Sequence, residues 1–336
     1  MNQNYKNLNA EDHSAIERTI IPCQMNNTEN VFYAPPKIPN QFIAEVNGVS
    51  IYLKREDLLH PQVSGNKFRK LKYNLAEAAS QKRQILLTFG GAYSNHIAAT
   101  AAAGKLSGFK TIGVIRGEEL GKDLEKTLRE NATLRFAHSC GMQLHFVSRS
   151  DYREKASEEF LKELQEKFGE FYLVPEGGTN ELAVKGCEEI LTPKDAEFDV
   201  ICCAIGTGGT ISGLINSSEE HQQILGFPAL KGDFLKPEIE RLSKKNNWKI
   251  IPDYHFGGYA KVDEKLIDFI NNFRRKYGVQ LDPVYTGKLM YGIFDLAQTG
   301  YFLKNTRILA IHTGGIQGIP GMNKVLKMRN LPPILT

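Results

Sequence analysis

Short apolar runs alternate with segments of helical period through most of the chain. Residues 84–89 (QILLTF), 111–115 (TIGVI), 143–147 (QLHFV) and 171–175 (FYLVP) read as strands. Between them lie an alanine-rich helix (IAATAAAGKLSG), a second helix (LEKTLRENATLRFAHSCG) and an amphipathic third (SEEFLKELQEKFG), each closed by glycine. This order predicts a parallel sheet with right-handed crossovers. The alternation resumes after Gly177-Gly178 with a helix (LAVKGCEEIL). A continuous apolar strand follows at 198–205 (FDVICCAI), of the kind buried on both faces. Further strands fall at 224–230, 248–254 and 306–315, and an early one, VSIYLKRE, at 49–56. Two α/β units are expected, with the early strand belonging to the second.

Composition narrows the function classes. The chain has 336 residues, of which 41% are apolar and 24% charged, with a net charge of +4. That is enough to bury a core without disulfides or metal. Basic residues are interspersed with acidic ones, so no nucleic-acid or membrane surface stands out. The longest basic stretch, Lys67 to Lys72, reads as one face of a helix. Five cysteines (Cys23, Cys140, Cys187, Cys202, Cys203) form no CxxC pair, which argues against a disulfide framework and a zinc site. No apolar run approaches the roughly 18 residues of a membrane span. The N-terminal MNQNYKNLNAEDHS lacks a signal-peptide core, so a cytoplasmic location is expected.

Three glycine turns follow strands. Gly206-Thr207-Gly208-Gly209-Thr210 joins the apolar strand to a helix, GTISGLI. Glycines let a backbone approach an anion, helix N–H groups point at it, and Thr207 and Thr210 add hydroxyls, so this reads as a phosphate cradle. A tight turn with glycines for packing is the alternative. No lysine follows as in a P-loop, and GxGG is not the dinucleotide GxGxxG, so a monophosphate cofactor fits better. Gly90-Gly91-Ala92-Tyr93-Ser94-Asn95-His96 is the second turn. Ser94 either caps the helix or, with Asn95, meets a ligand, while His96 reads as a surface or capping histidine. His312-Thr313-Gly314-Gly315 is the third. Three such turns suggest one site at the carboxyl ends of the strands.

Ser64-Gly65-Asn66-Lys67-Phe68-Arg69-Lys70-Leu71 resembles the cofactor-lysine motif of fold-type II pyridoxal-phosphate (PLP) enzymes. The resemblance is nearest to the family of 1-aminocyclopropane-1-carboxylate (ACC) deaminase and D-cysteine desulfhydrase. Lys54-Arg55-Glu56-Asp57, Gly90 to Asn95, Gly206 to Thr210, Asp282-Pro283-Val284-Tyr285-Thr286-Gly287-Lys288 and His312 to Gly315 resemble further motifs of that family, in family order over roughly residues 35–330. The resemblance implies a tryptophan synthase beta-like α/β fold, with two open twisted, mainly parallel sheets flanked by helices. It implies a large PLP-binding domain formed by 1–66 plus 176–336, with a small domain, 67–175, inserted. Lys67 would carry the cofactor as a Schiff base and later shuttle a proton. Asn95 would bond the cofactor's phenolic oxygen, Ser94 would meet the substrate carboxylate or assist proton transfer, and Gly206, Thr207, Gly208, Gly209 and Thr210 would bind the phosphate. Tyr285 and Tyr259 would be the two active-site tyrosines. A homodimer acting on a small amino acid follows from the same resemblance, with no metal.

Two positions bear on the substrate. ACC deaminases carry Glu after the DPVY tyrosine and Leu within HxGG, where this chain has Thr286 and Thr313. A carboxylate there would keep the cofactor's ring nitrogen protonated, whereas a threonine only hydrogen-bonds. Both threonines resemble the desulfhydrase side, which implies conversion of D-cysteine to pyruvate, sulfide and ammonia. ACC deamination to 2-oxobutanoate and ammonia, and a PLP-binding protein without turnover, are the alternatives. A nicotinamide-dependent oxidoreductase with an atypical glycine loop is a more distant one. The loop Leu58 to Ser64 departs from the glycine-rich family form, so the substrate entrance is expected to differ.

Overall fold

The computed structural model describes residues 31–232 and 235–336; the N-terminal segment discussed above and Cys23 lie outside them. The chain opens with a hairpin, β1 (Asn40–Val46) and β2 (Val49–Lys54). Its turn, Asn47-Gly48, has φ of 50° and 79°, the left-handed pair that two-residue hairpin turns need. Then come α1 (Asn66–Ser80), β3 (Ile85–Gly91), α2 (Asn95–Leu106), β4 (Lys110–Arg116), α3 (Leu124–Glu130), α4 (Ala132–Ser139), β5 (Gln143–Val147), α5 (Glu158–Phe168) and β6 (Tyr172–Val174). The remainder is α6 (Glu181–Glu188), β7 (Val200–Ile205), α7 (Gly209–Ser217), β8 (Gln223–Pro228), α8 (Leu235–Leu242), β9 (Trp248–Ile250), α9 (Glu264–Tyr277), α10 (Thr286–Gln298), β10 (Arg307–Ile311) and α11 (Ile319–Met328).

The strands form two sheets. One is wholly parallel, in the order β5-β4-β3-β6. The other runs β1-β2-β10-β7-β8-β9 and is parallel except for the β1–β2 hairpin. The early strand β2 therefore joins the C-terminal strands, as its expected membership required. β7 sits at the centre of its sheet with every residue buried, which is why its sequence is unbroken apolar. Cys202 and Cys203 are free buried thiols within it.

One expectation about the elements needs correction. The single helix over 124–141 is two, because Asn131 leaves the helical region (φ −114°, ψ 103°) and its side chain caps the Leu134 amide of α4. The basic run lies on helix α1, as expected, and is largely enclosed: Phe68, Arg69, Lys70 and Leu71 are all buried.

Charged motif residues explain that burial. Arg69 donates through Nε and Nη2 to the two oxygens of Glu56, at 2.9 and 3.1 Å, and Glu56 is fully buried. Burial opposes the Arg69 charge, but the two-point bond to Glu56 outweighs it and raises its pKa. Lys54 pairs with Asp195 at 2.8 Å. The helices behind α1 then pack at glycines. A Cβ on Gly186 of α6 would lie 2.0 Å from the Arg69 carbonyl, and one on Gly213 of α7 would lie 2.5 Å from the Cys187 Cβ. The turn carrying Lys67 is thereby held against the helix that follows the glycine loop.

Glu56→Gln should lower unfolding stability by up to about 3–5 kcal/mol, because it removes the fully buried partner of the guanidinium and leaves only the longer contact to the less buried Glu189 at 3.6 Å. Adding Arg69→Met should recover part of that loss. Urea unfolding midpoints test both, and a Glu56→Gln midpoint within error of wild type would contradict the pairing.

Candidate active site

Gly65 starts α1 in the left-handed region (φ 63°), and a Cβ there would sit 2.0 Å from the Thr313 carbonyl oxygen. The SGN turn therefore docks directly on the HTGG strand end, where Asn66 N donates to that same carbonyl. Ser64 takes part by donating to the Asp57 carbonyl at 3.2 Å. The unusual His60 accepts amide bonds from Gln62 and Val63 at its Nδ1, which ties down the loop before the lysine.

Lys67 opens partly to the cleft, with its Nζ donating to Asn66 Oδ1 at 3.2 Å. Asn66 in turn donates to Thr210 Oγ1 at 2.8 Å. The surrounding protein, and then the positive charge of Lys70, bring the Lys67 pKa down from 10.5 to about 7. A substantial fraction of the amine is thus unprotonated at neutral pH, the form a nucleophilic or basic lysine needs.

Lys70, one turn further along α1, was not singled out from the sequence because it looks like part of a basic face. It is 2% exposed and has no carboxylate in ion-pair range among the described residues. Its Nζ donates to the Gly177 carbonyl (3.1 Å), Thr179 Oγ1 (2.9 Å) and Thr207 Oγ1 (3.4 Å). A Cβ on Gly209 would come within 3.3 Å of that Nζ and 2.9 Å of Thr179 Cγ2, and one on Gly206 would press on the Tyr285 ring. The glycines keep a floor open in front of a buried cation, two threonine hydroxyls and the N-terminus of α7. Such a cation is expensive unless an anion completes it. The arrangement fits a phosphate monoester, and Lys67 lies one turn away from Lys70 on the same helix.

Ser94 is both a cap and a cleft residue. Its Oγ accepts from the His96 and Ile97 amides at 3.2 and 3.4 Å, which leaves its own proton free to donate outward. Asn95 accepts from Gln317 Nε2 at 2.5 Å, so its Nδ2 is the end left for a ligand. His96 is not a surface histidine. It is 2% exposed, and burial followed by the charges of Lys67 and Lys70 holds its pKa well below 6.5. Thr88 gives its hydroxyl proton to the Val174 carbonyl and so accepts from His96 Nε2 at 2.7 Å, which fixes a neutral, Nε2-protonated ring.

Tyr285 and Tyr259 meet edge to face, with ring centroids 6.2 Å apart and planes at 68°. Tyr259 is 49% exposed towards the cleft, yet the cleft walls still push its phenol pKa upward; burial and then Tyr259 itself do so more strongly for Tyr285. Both phenols therefore keep their protons at neutral pH and act as donors. Thr286 is placed differently from the other candidates. It is fully buried, with its hydroxyl donating to Asp282 Oδ2 (2.7 Å) and accepting from the Asp282 amide (2.9 Å), and it belongs to the cap of α10. Thr313 has no side-chain bond among the described residues, so its hydroxyl is available. Arg116, at the carboxyl end of β4, lies 5.6 Å over the Tyr152 ring, and the Tyr152 phenol donates to Glu176. Position at a strand's carboxyl end was the signal that would have drawn attention to this rim.

A family model described as pyridoxal-phosphate dependent enzyme matches residues 32–314. A Pyrococcus furiosus protein, provisionally named 1-aminocyclopropane-1-carboxylate deaminase, is 34% identical over 84% of this chain and 91% of its own. The mitochondrial bifunctional D-cysteine desulfhydrase/1-aminocyclopropane-1-carboxylate deaminase of Arabidopsis thaliana is 32% identical over 85% of this chain and 76% of its own. A solved ACC deaminase homologue superposes with a TM-score of 0.75 at 30% identity, covering 88% of this chain and 94% of that one. With the lysine, the buried-cation cradle and the chain-length likeness in agreement, this chain belongs to the pyridoxal-phosphate dependent enzyme family.

Proposed function

We propose that the chain is a lyase acting on a small amino acid, most simply D-cysteine, releasing pyruvate, sulfide and ammonia with uptake of one water. The observation that carries the reading is the pairing of Lys67, its pKa near 7, with the acid-free buried Lys70 cradle. Lys70, Thr207, Thr179 and Thr210, with the α7 amides, would hold the cofactor phosphate, and Asn95 Nδ2 would be left to bond the rest of the cofactor. Bound pyridoxal phosphate supplies an electron sink for breaking a bond at the substrate's α-carbon.

The chain's own groups divide the remaining work. Ser94 donates its hydroxyl proton to the substrate carboxylate at the N-terminus of α2, where the helix dipole favours that charge. Lys67 takes the α-proton on its free amine. Tyr285 or Tyr259, protonated at neutral pH, gives a proton to the departing thiolate. The absence of a carboxylate at Thr286, whose hydroxyl is engaged by Asp282, supports D-cysteine over ACC. The named activities of the Arabidopsis relative keep ACC as the second substrate to test. The reading extends to an inserted small domain formed by 67–175 and to a cytoplasmic homodimer; a monomer mass by light scattering would end the dimer part.

Purified with cofactor, the protein should show visible absorbance that Lys67→Ala abolishes. D-cysteine should yield pyruvate and sulfide faster than ACC yields 2-oxobutanoate. The reverse order would favour ACC deamination, and absorbance without any keto acid would favour a binding protein.

Lys70→Met should weaken cofactor binding about 10- to 100-fold, the loss expected of a charge-assisted bond to phosphate. Equilibrium dialysis of pyridoxal phosphate measures it, and unchanged affinity would place the phosphate elsewhere.

The Lys67 pKa is lowered, so its amine is free above about 7 and protonated below. Borohydride-trapped capture of pyridoxal phosphate by the cofactor-free protein should quicken as pH rises through about 7 and then level off. A rate still climbing near pH 10, where an ordinary lysine titrates, would refute the shift.

A further inference from the structure

The loop between β9 and α9 carries Tyr259 in a costly conformation. Phe256, Gly257, Gly258 and Ala260 have φ of 53°, 90°, 119° and 54°. Left-handed backbone at a phenylalanine and an alanine costs roughly 1–2 kcal/mol per residue. Internal bonds from Gly257 N to His255 Nδ1 (2.9 Å) and from Gly258 N to the His255 carbonyl (3.0 Å) tighten the turn. They do not tie it to the body of the protein.

Lys288 does. It lies in α10 one turn past Tyr285 and is 2% exposed. Its Nζ donates to the His255 and Gly258 carbonyls, each at 2.8 Å. It has no carboxylate in ion-pair range among the described residues; Asp282 from the α10 cap and Asp263 from the start of α9 act on it only at longer distance. A buried ammonium is a poor way to fill space in a helix, where methionine fits without desolvation cost. Its two bonds bracket Phe256 and Gly257, and the second stops one residue short of Tyr259.

We propose that Lys288 is a positioning residue that clamps the 255–260 loop so that Tyr259 stands against Tyr285 in the cleft. Helix α10 then sets both phenols, Tyr285 from its N-cap and Tyr259 through the clamp. The proposal rests on the active-site role of Tyr259 in the function proposed above. Burial lowers the Lys288 pKa from 10.5 to about 8, so the ammonium loses its proton, and its charge-assisted bonds weaken, as pH rises through about 8.

The test is a double-mutant cycle on the cofactor-loaded enzyme. Lys288→Met should lower kcat/KM about 10- to 100-fold, chiefly in kcat, as misplacing a reacting group does, with the cofactor absorbance retained. In a Tyr259→Ala background the same change should cost less than about 2-fold, because the two residues act as one unit. Lys288→Arg, whose guanidinium does not titrate in this range, should keep more activity and move the alkaline limb of the pH profile upward from about 8. Hydrogen exchange at the Gly258 and Lys261 amides should quicken in Lys288→Met while the body of α10 is unaffected, a readout independent of turnover. Additive losses, or an alkaline limb unmoved by Lys288→Arg, overturn the positioning role alone. A Tyr259→Ala enzyme of full activity overturns the role of Tyr259 and the clamp's purpose with it. Should Lys288→Met fail to fold, the pH profile of Lys288→Arg decides.

Discussion

Three cationic residues, Lys67, Arg69 and Lys70, lie within one turn of α1, and among the described residues Arg69 alone has a carboxylate in ion-pair range. Arg69 is neutralised by Glu56 inside the protein. Lys70 is left with carbonyl and hydroxyl oxygens alone. Lys67, beside it, is pushed towards the neutral amine. Like charges this close cannot all be retained in a low-dielectric site unless something compensates. The chain resolves the problem three ways: an internal acid, an opening for an external anion, and a lowered pKa. In the function proposed, cofactor capture and lysine reactivity are two results of one electrostatic arrangement. The same charges keep His96 neutral behind the cleft.

This turn needs precise support. The Arg69 carbonyl is approached so closely by α6 that only a glycine fits at position 186, and α7 meets α6 at Gly213 in the same manner. Those contacts set the distance between the Lys70 ammonium and the glycine loop at the start of α7. The fork to Glu56, just past β2, ties the turn to the larger sheet, while the apolar side of α1 (Phe68, Leu71, Leu75) packs with the smaller one. Helix α1 thus belongs structurally to both sheets, which is why the site lies where their strand ends meet.

Much of this was legible from the residues alone. Nine of the ten strands and the glycine turns stood out because period-2 or continuous apolar runs and strand–glycine–helix junctions are local signals, whereas Lys67 was marked by the resemblance of its motif. The first hairpin strand was missed although Asn47-Gly48 marked its turn, because β1 alternates weakly: Phe42 is exposed and few of its residues are buried. The break at Asn131 was hidden by an unbroken helical period on both sides. Burial of Arg69 and Lys70 was invisible for a different reason. A basic helical run is usually solvated, and only the distant partners Glu56, Gly177 and Thr179 reverse that. His96 and Thr286 follow the same rule, each claimed by a tertiary or cap bond that residue type does not announce.

Proton-handling groups in the cleft are sorted by environment rather than by residue type. Enclosure lowers the lysine and raises both tyrosines, which suits the roles proposed for them at neutral pH, the lysine as base and a phenol as acid. An elimination needs that combination: one group takes a proton from carbon while another gives one to the leaving atom. Cyclopropane opening makes a different demand, since ACC has no α-proton for the lysine to remove. The division of roles proposed for this cleft therefore favours substrates with both an α-proton and a leaving group on the next carbon. Thr286, held by Asp282 within the α10 cap, brings no carboxylate that would shift that balance.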